Sequence, residues 1–280
     1  MSSWVIKISR HFVFFLSVFV SCDNRIEIEK TNEVSAFYGK KIGIIGDSIS
    51  SFKDCSPSGY GEYKGASYKT YYPRGDVKKV SDMWWGMVAF SLGIGLDDIT
   101  NCSWSGSTVT GEPNIPQNAF AACSSQRIDD LACRGYTPDI ILCYISCNDW
   151  AWNREIGSWS VSDTLLAIDK VMTLREAYAT MLSRLKVSYP KSRVICLTIL
   201  EDGKRDSIPG PPSENDNGVS VAEWNTNIIQ IAEAFGCEVI DLHSCGITYD
   251  SIDGYTIDGV HPNKAGMGLM SKAIVDYLMN

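Results

Sequence analysis

The chain reads as an α/β protein, a doubly wound three-layer α/β/α sandwich around a central parallel sheet of about five strands. Two observations predict this. Short, nearly continuous apolar runs recur along the sequence, and the segments between them repeat their apolar residues at helical spacing. A run rich in Ile, Val and Leu without polar alternation suits a strand covered on both faces, which is the situation in a parallel sheet. Strands of that kind alternating with helices are joined by right-handed crossovers.

The apolar runs lie at 41–46 (KIGIIG), 99–103, 139–146 (DIILCYIS), 193–200 (RVICLTIL) and 238–242 (EVIDL). Helical spacing appears at 83–92, 174–189, 221–235 and 263–278, and Trp84 and Trp85 at the start of the first helix read as core. Ser220 and Glu223 form an S-x-x-E capping box ahead of the third helix. Two connections exceed ordinary turns. Residues 51–82 carry Tyr60, Tyr63, Tyr68, Tyr71 and Tyr72, and residues 201–220 are rich in Gly, Pro and charge. Both leave the carboxyl edge of the predicted sheet, where ligands bind in such folds. They fit equally a pocket wall and a surface excursion packed by its own aromatics.

With 280 residues, of which 45% are hydrophobic, the chain has material for one sizeable core, and a single body over residues 39–280 is the simplest account. The net charge of −8 comes without a Lys/Arg cluster, which argues against a nucleic-acid partner. Lys7 and Arg10 precede the apolar run 12–20, too short to span a bilayer but suited to a signal-peptide core. Ser21-Cys22 follows and resembles a bacterial lipoprotein cleavage site, although Phe19 departs from its usual small aliphatic residue. The expected organisation is a signal peptide at 1–21 with Cys22 as the lipidation point, then a polar tether over 22–38 and the folded body. The expected location is the periplasm or cell surface, with membrane contact only through the lipid anchor. Ten cysteines fit an oxidising compartment. Cys123 and Cys133 are the first pair to test for a disulfide, while Cys143, Cys147 and Cys196 lie in or beside apolar strands as small hydrophobes. No Cys or His cluster has zinc spacing, so no metal is expected.

Chemistry that needs an imidazole base has two candidates downstream of the signal, His243 and His261. His261 lies in Asp258-Gly-Val-His261-Pro-Asn, where one turn directs the Asp258 carboxylate at the imidazole. His243 has Asp241 only two residues away on an alternating strand. Gly46-Asp47-Ser48 directly follows the first strand, at the edge where an attacking hydroxyl belongs; a plain strand-end turn explains the same tripeptide. No G-x-S-x-G elbow occurs, and Gly218-Val-Ser220-Val-Ala222 is the nearest miss.

The order of the pieces says more than any one of them. Gly46-Asp47-Ser48 follows strand one, Asn101-Cys-Ser-Trp-Ser-Gly106 strand two and Asn148-Asp149 strand three, while Asp258-x-x-His261 precedes the last helix. This set resembles the SGNH, or GDSL-type, hydrolase family across the body of the chain. The resemblance implies a flavodoxin-like sandwich and a serine esterase that uses no cofactor. It implies Ser48 as nucleophile, His261 as base and Asp258 as its orienter. The oxyanion hole it implies consists of the Ser48 and Gly106 backbone N–H groups and the Asn148 side-chain amide. Two positions depart from the family pattern. Ser146 stands where the family has Gly two residues before the block-three Asn, and Ile49 replaces Leu after the nucleophile.

Aromatic residues crowd the same edge: Trp104 within the second block, and Trp150, Trp152 and Trp159 after the third. Flat amphipathic rings suit stacking on sugars, and packing in the core is the competing role. The expected function is hydrolysis of short O-acyl groups, acetyl above all, on a carbohydrate or small-molecule ester. A lipase, lysophospholipase or thioesterase of the same fold is the nearest rival, and a non-catalytic glycan-binding surface lipoprotein is the rival from another class.

Overall fold

In a computed structural model of the chain, the structure describes residues 16–20, 26–30, 35–55, 70–111, 121–163, 171–202 and 214–280. Cys22 and most of the expected signal segment lie outside these residues, as do Tyr60, Tyr63 and Tyr68. At the N-terminal end, β1 (Leu16–Val20) pairs antiparallel with β2 (Ile26–Lys30).

Five strands build the central sheet: β3 (Ile42–Gly46), β4 (Ile99–Ser103), β5 (Ile140–Tyr144), β6 (Arg193–Leu197) and β7 (Glu238–Ile240). All neighbours run parallel, in the spatial order β4-β3-β5-β6-β7. The order reverses at β3, so the crevice between the carboxyl ends of β3 and β5 is the topological switch point.

Side chains of successive strand residues face opposite sides of the sheet, and the core divides accordingly. Ile42, Ile44, Leu142, Tyr144, Ile195 and Leu197 pack on one side with α1 (Trp84–Leu92) and α7 (Lys264–Met279). Ile45, Ile141, Cys143, Val194 and Cys196 pack on the other with α2 (Ser125–Asp129), α4 (Leu174–Ser188) and α5 (Val221–Ala234). Two short helices remain, α3 (Cys147–Ala151) behind β5 and α6 (Ile252–Tyr255) before α7. The three expected layers form.

Where strand lengths differ from expectation, the backbone hydrogen bonds explain it. The apolar run 193–200 leaves the ladder after Leu197, yet its buried N–H groups stay paired. Ile199 N–H donates to Asn225 Oδ1 at 2.8 Å and Leu200 N–H to the Tyr144 hydroxyl at 3.3 Å. Ser220 caps α5 as expected, its Oγ accepting from Glu223 N–H at 3.1 Å. The disulfide expectation fails. Cys123 and Cys133 are both free thiols; Cys123 is buried and Cys133 exposed, so the two side chains meet different surroundings.

Candidate active site

The chain leaves β3 through a tight turn. Asp47 Oδ1 accepts from Ile49 N–H at 3.0 Å, and Ser50 N–H bonds back to Asp47 C=O at 3.2 Å. Gly46 has to be glycine here, because a Cβ would lie 2.7 Å from the Ser103 and Ser50 hydroxyls. Ser50 anchors the turn from below. Its Oγ accepts from Trp84 Nε1, and its carbonyl from Trp85 Nε1 and Asn101 Nδ2. The result holds Ser48 at the carboxyl end of the sheet.

His261 arrives from the opposite side, on the segment between α6 and α7. Its Nε2 lies 2.9 Å from Ser48 Oγ, and its Nδ1 lies 2.9 and 3.0 Å from the two oxygens of Asp258. Asp258 Oδ1 also accepts from the backbone N–H groups of Val260 and His261 at 3.2 and 2.9 Å. Burial pushes the Asp258 carboxyl up, but the Tyr71 hydroxyl and the His261 N–H and imidazole outweigh it, leaving it below the usual range. For His261 the balance goes the other way. Burial lowers the imidazole below its ordinary 6.5 despite the Asp258 charge, and Arg74 lowers it further. A neutral imidazole bonded to a hydroxyl on one nitrogen and a carboxylate on the other is able to take a proton from that hydroxyl.

The third block meets the second across the switch point. Asn148 Nδ2 donates to Ser107 C=O at 2.8 Å, which uses one of its two amide hydrogens and leaves the other. Gly106, one residue earlier, has a φ of 79°, in the left-handed region that glycine enters without strain. Asp149 stitches the same two loops together, accepting from Val109 N–H, Thr110 N–H and the Thr110 hydroxyl at 2.8, 3.0 and 2.6 Å. Ser146 stands in the left-handed region too, with a φ of 95°, although it carries a side chain. The turn that glycine would make freely is therefore kept by serine. Its buried Oγ accepts from Trp224 Nε1 at 3.1 Å, a bond no glycine supplies.

Ser48, Asn148 and His261 line one pocket of about 210 Å³. Ile49, Ile199, Leu200 and Val260 contribute apolar wall, and Glu201 and Asp202 contribute carboxylates. Trp150 reaches the pocket from a buried position, its Nε1 donating to Val219 C=O at 2.9 Å. Trp152 is 48% exposed beside the pocket-lining Ala151. Trp104 is a correction: it is 3% exposed and packs in the core with the Arg127 guanidinium 5.8 Å from its ring. Trp159 is likewise core, stacked on Phe235. Neither ring polarity nor depth alone distinguishes these roles: Trp104 and Trp150 are equally buried, and of the two only Trp150 reaches the pocket wall.

His243 pairs with Glu201, Nε2 to Oε2 at 3.1 Å, and that bond raises its pKa. Its sequence neighbour Asp241 is engaged instead with the Thr198 hydroxyl at 2.8 Å. Cys147 donates its thiol to Asp47 Oδ2 at 2.9 Å. Among the described residues, no group of three or more His, Cys, Asp or Glu side chains is placed to hold a metal ion. Three residues at the site had no assigned part in the sequence reading: Tyr71, Arg127 and Asp149. Asp149 follows Asn148 directly and was within reach of that reading, whereas nothing around Arg127 in the chain points to the strand ends.

With this geometry in view, the comparisons with known proteins are decisive for the family. Residues 40–209, more than half of the chain, match the family model described as GDSL-like lipase/acylhydrolase. The chain belongs to this family. Solved structures agree in fold. A GDSL-like lipase from Bacteroides uniformis ATCC 8492 aligns with a TM-score of 0.58 at 24% identity, covering 86% of this chain and 97% of its own. One from Bacteroides ovatus ATCC 8483 aligns with 0.56 at 21%, covering 85% and 97%. An acetyl xylan esterase aligns with 0.51 at 14%, covering 85% and 99%. No curated protein matches the chain by sequence. Membership makes the protein a GDSL-like hydrolase, with the five-stranded parallel sheet of that fold.

The Ser146 arrangement yields a testable order of stabilities. Ser146→Ala keeps the strained backbone and orphans the Trp224 N–H, while Ser146→Gly orphans the same group but relieves the strain. Thermal unfolding should place Ala below wild type by about 1–3 kcal/mol for the orphaned N–H, and below Gly by about 1–3 kcal/mol for the retained strain. An alanine variant as stable as the glycine variant would contradict this account.

Proposed function

We propose that the protein is a serine esterase that removes short O-acyl groups, acetyl above all, from carbohydrate. One observation carries the mechanism: an unbroken hydrogen-bonded chain from Ser48 Oγ through both nitrogens of His261 to Asp258, opening on a pocket. Ser48 attacks the ester carbonyl while His261 Nε2 takes its proton, and Asp258 stabilises the imidazolium formed. The tetrahedral oxyanion collects hydrogen bonds from the Ser48 and Gly106 N–H groups and the Asn148 amide, each donor contributing about 2.7–4 kcal/mol. His261 then returns the proton to the departing alcohol. The resulting acyl-enzyme is cleared by a water that His261 deprotonates in turn.

The wall of the pocket supports the substrate class. Its volume of about 210 Å³ is below the span usual for drug-sized ligands and suits a small acyl group. Glu201 and Asp202 would have to be desolvated against a long alkyl chain but accept hydrogen bonds from sugar hydroxyls. Exposed Trp152, next in sequence to the pocket-lining Ala151, would supply a flat face for the alcohol part. The expected export signal places this chemistry outside the cytoplasm, with Cys22 carrying lipid and anchoring the protein to a membrane.

Ser48→Ala and His261→Ala should each lower kcat at least about 10⁴-fold in a folded protein, and Asp258→Asn should fall nearly as far. His243→Ala should stay active. A dead His243→Ala beside an active His261→Ala refutes the choice of base. In a panel of aryl esters, kcat/KM should be highest for acetate and drop steadily through butyrate to octanoate, with acetylated glycans deacetylated. A preference for octanoate would turn the reading towards a lipase. For the protein purified from its native host, mass spectrometry should show residues 1–21 removed; an intact Met1 rules out export by this signal.

A further inference from the structure

We propose that Tyr71 is a positioning residue for the His261–Asp258 pair, locking the imidazole in the plane from which it serves Ser48. The inference rests on the reading of His261 as the base. The Tyr71 ring lies flat on the imidazole, centroids 3.5 Å apart and planes within 7° of parallel. Its hydroxyl donates to Asp258 Oδ2 at 2.6 Å. One side chain thus restrains both partners of the pair. The stack prevents the imidazole from tilting out of line with Ser48 Oγ. The hydroxyl closes the open side of a carboxylate whose other oxygen is already held by two backbone N–H groups.

Tyr71 is itself fixed from several directions. Its N–H donates to Ser51 Oγ at 2.9 Å, and the Ser51 hydroxyl in turn donates to Ser48 C=O at 3.0 Å. The next residue, Tyr72, is buried and donates its hydroxyl to Pro262 C=O at 2.6 Å. The Arg74 guanidinium sits over the Tyr71 ring, 4.8 Å from the centroid. The pair Tyr71-Tyr72 is therefore a strut between the turn that carries the nucleophile and the segment that carries the base. A free surface tyrosine would have neither the stack nor the two anchors. Burial and the Asp258 carboxylate hold the phenol up to about 12, so it remains a donor throughout the working range of an imidazole base.

The hydroxyl draws negative charge away from the Asp258 oxygen that faces the imidazole. Other charged groups around His261 are Arg74, over the Tyr71 ring, and Glu201 and Asp202 in the pocket wall. In the wild type the acid limb of kcat/KM should lie below pH 6.5, rate rising with pH as His261 becomes neutral. Tyr71→Phe keeps the ring and loses the donor. Asp258 then holds the imidazolium more strongly, so the acid limb moves to higher pH.

The test measures kcat, KM and the pH profile on an aryl acetate for wild type, Tyr71→Phe, Tyr71→Leu and His261→Ala, with melting temperatures on the same preparations. Tyr71→Phe should lose about tenfold in kcat with KM within twofold and show the upward shift of the acid limb. Tyr71→Leu, lacking the stack as well, should lose about 10²-fold in kcat while still folded. A folded Tyr71→Phe with wild-type kcat and an unmoved limb overturns the proposal. So does a Tyr71→Leu whose loss only follows its unfolded fraction. If His261→Ala is inactive in these cases, only the role of Tyr71 falls. Full activity of His261→Ala overturns the assignment of the base and this proposal together.

Discussion

Beneath the pocket a single buried guanidinium ties the ends of two strands together, and the geometry above depends on it. Arg127, on α2, is fully buried, with Nη2 donating to the carbonyls of Gly46 and Cys102 at 3.0 and 2.7 Å and Nη1 to the Ser107 hydroxyl at 2.7 Å. Gly46 closes β3 and Cys102 lies one residue from the end of β4, so the points from which Ser48 and the Gly106 turn depart have a fixed separation. Burying a cation is costly unless it is hydrogen-bonded, and here both terminal nitrogens of the guanidinium donate, two of the three bonds going to backbone carbonyls. The restraint is directional as well as strong, since the planar guanidinium presents its donors in a rigid fork.

Two buried carboxylates continue the same layer. Asp47 links the nucleophile turn to Cys147 at the start of α3, and Asp149 links α3 to the loop beyond Gly106. Burial pushes both carboxyls up to about 6, partly offset for Asp47 by the Cys147 thiol and for Asp149 by the Thr110 hydroxyl. Groups raised in this way favour the folded state most in acid and lose that contribution as pH rises through about 6. The fold therefore carries an electrostatic cost at neutral pH for holding three loops in register. Ser146 adds a local strain of the same character, retained at the turn that aims Asn148.

The base comes from the far end of the chain and needs its own docking. Tyr72 holds Pro262, and Asp76 accepts from Lys264 N–H at 2.9 Å at the first residue of α7. Gly266 allows close approach, because a Cβ there would lie 2.2 Å from Tyr255 C=O. The Tyr72 and Asp76 contacts both come from the segment after the nucleophile. The 213 residues that separate Ser48 from His261 are thus bridged by a short stretch, 71–76, that touches both neighbourhoods.

Much of this was legible in the chain itself. The alternation of apolar runs with helical segments determined the layers, since strands covered on both faces cannot be polar on either. Four ordered motifs at strand ends determined which residues gather at the carboxyl edge, because chain order and the right-handed crossover rule leave few places for them. Strand limits, aromatic roles and the supporting layer were decided only by tertiary structure. Trp104 and Trp152 are alike in composition and differ in depth. Tyr71 is one of several tyrosines in its loop, and only packing sets its ring on His261. Arg127 has no local partner in sequence, and its partners are created when β3, β4 and α2 come together. Local pattern specifies what each segment is able to be; a long-range hydrogen bond exists only between groups that the whole fold has already brought within reach.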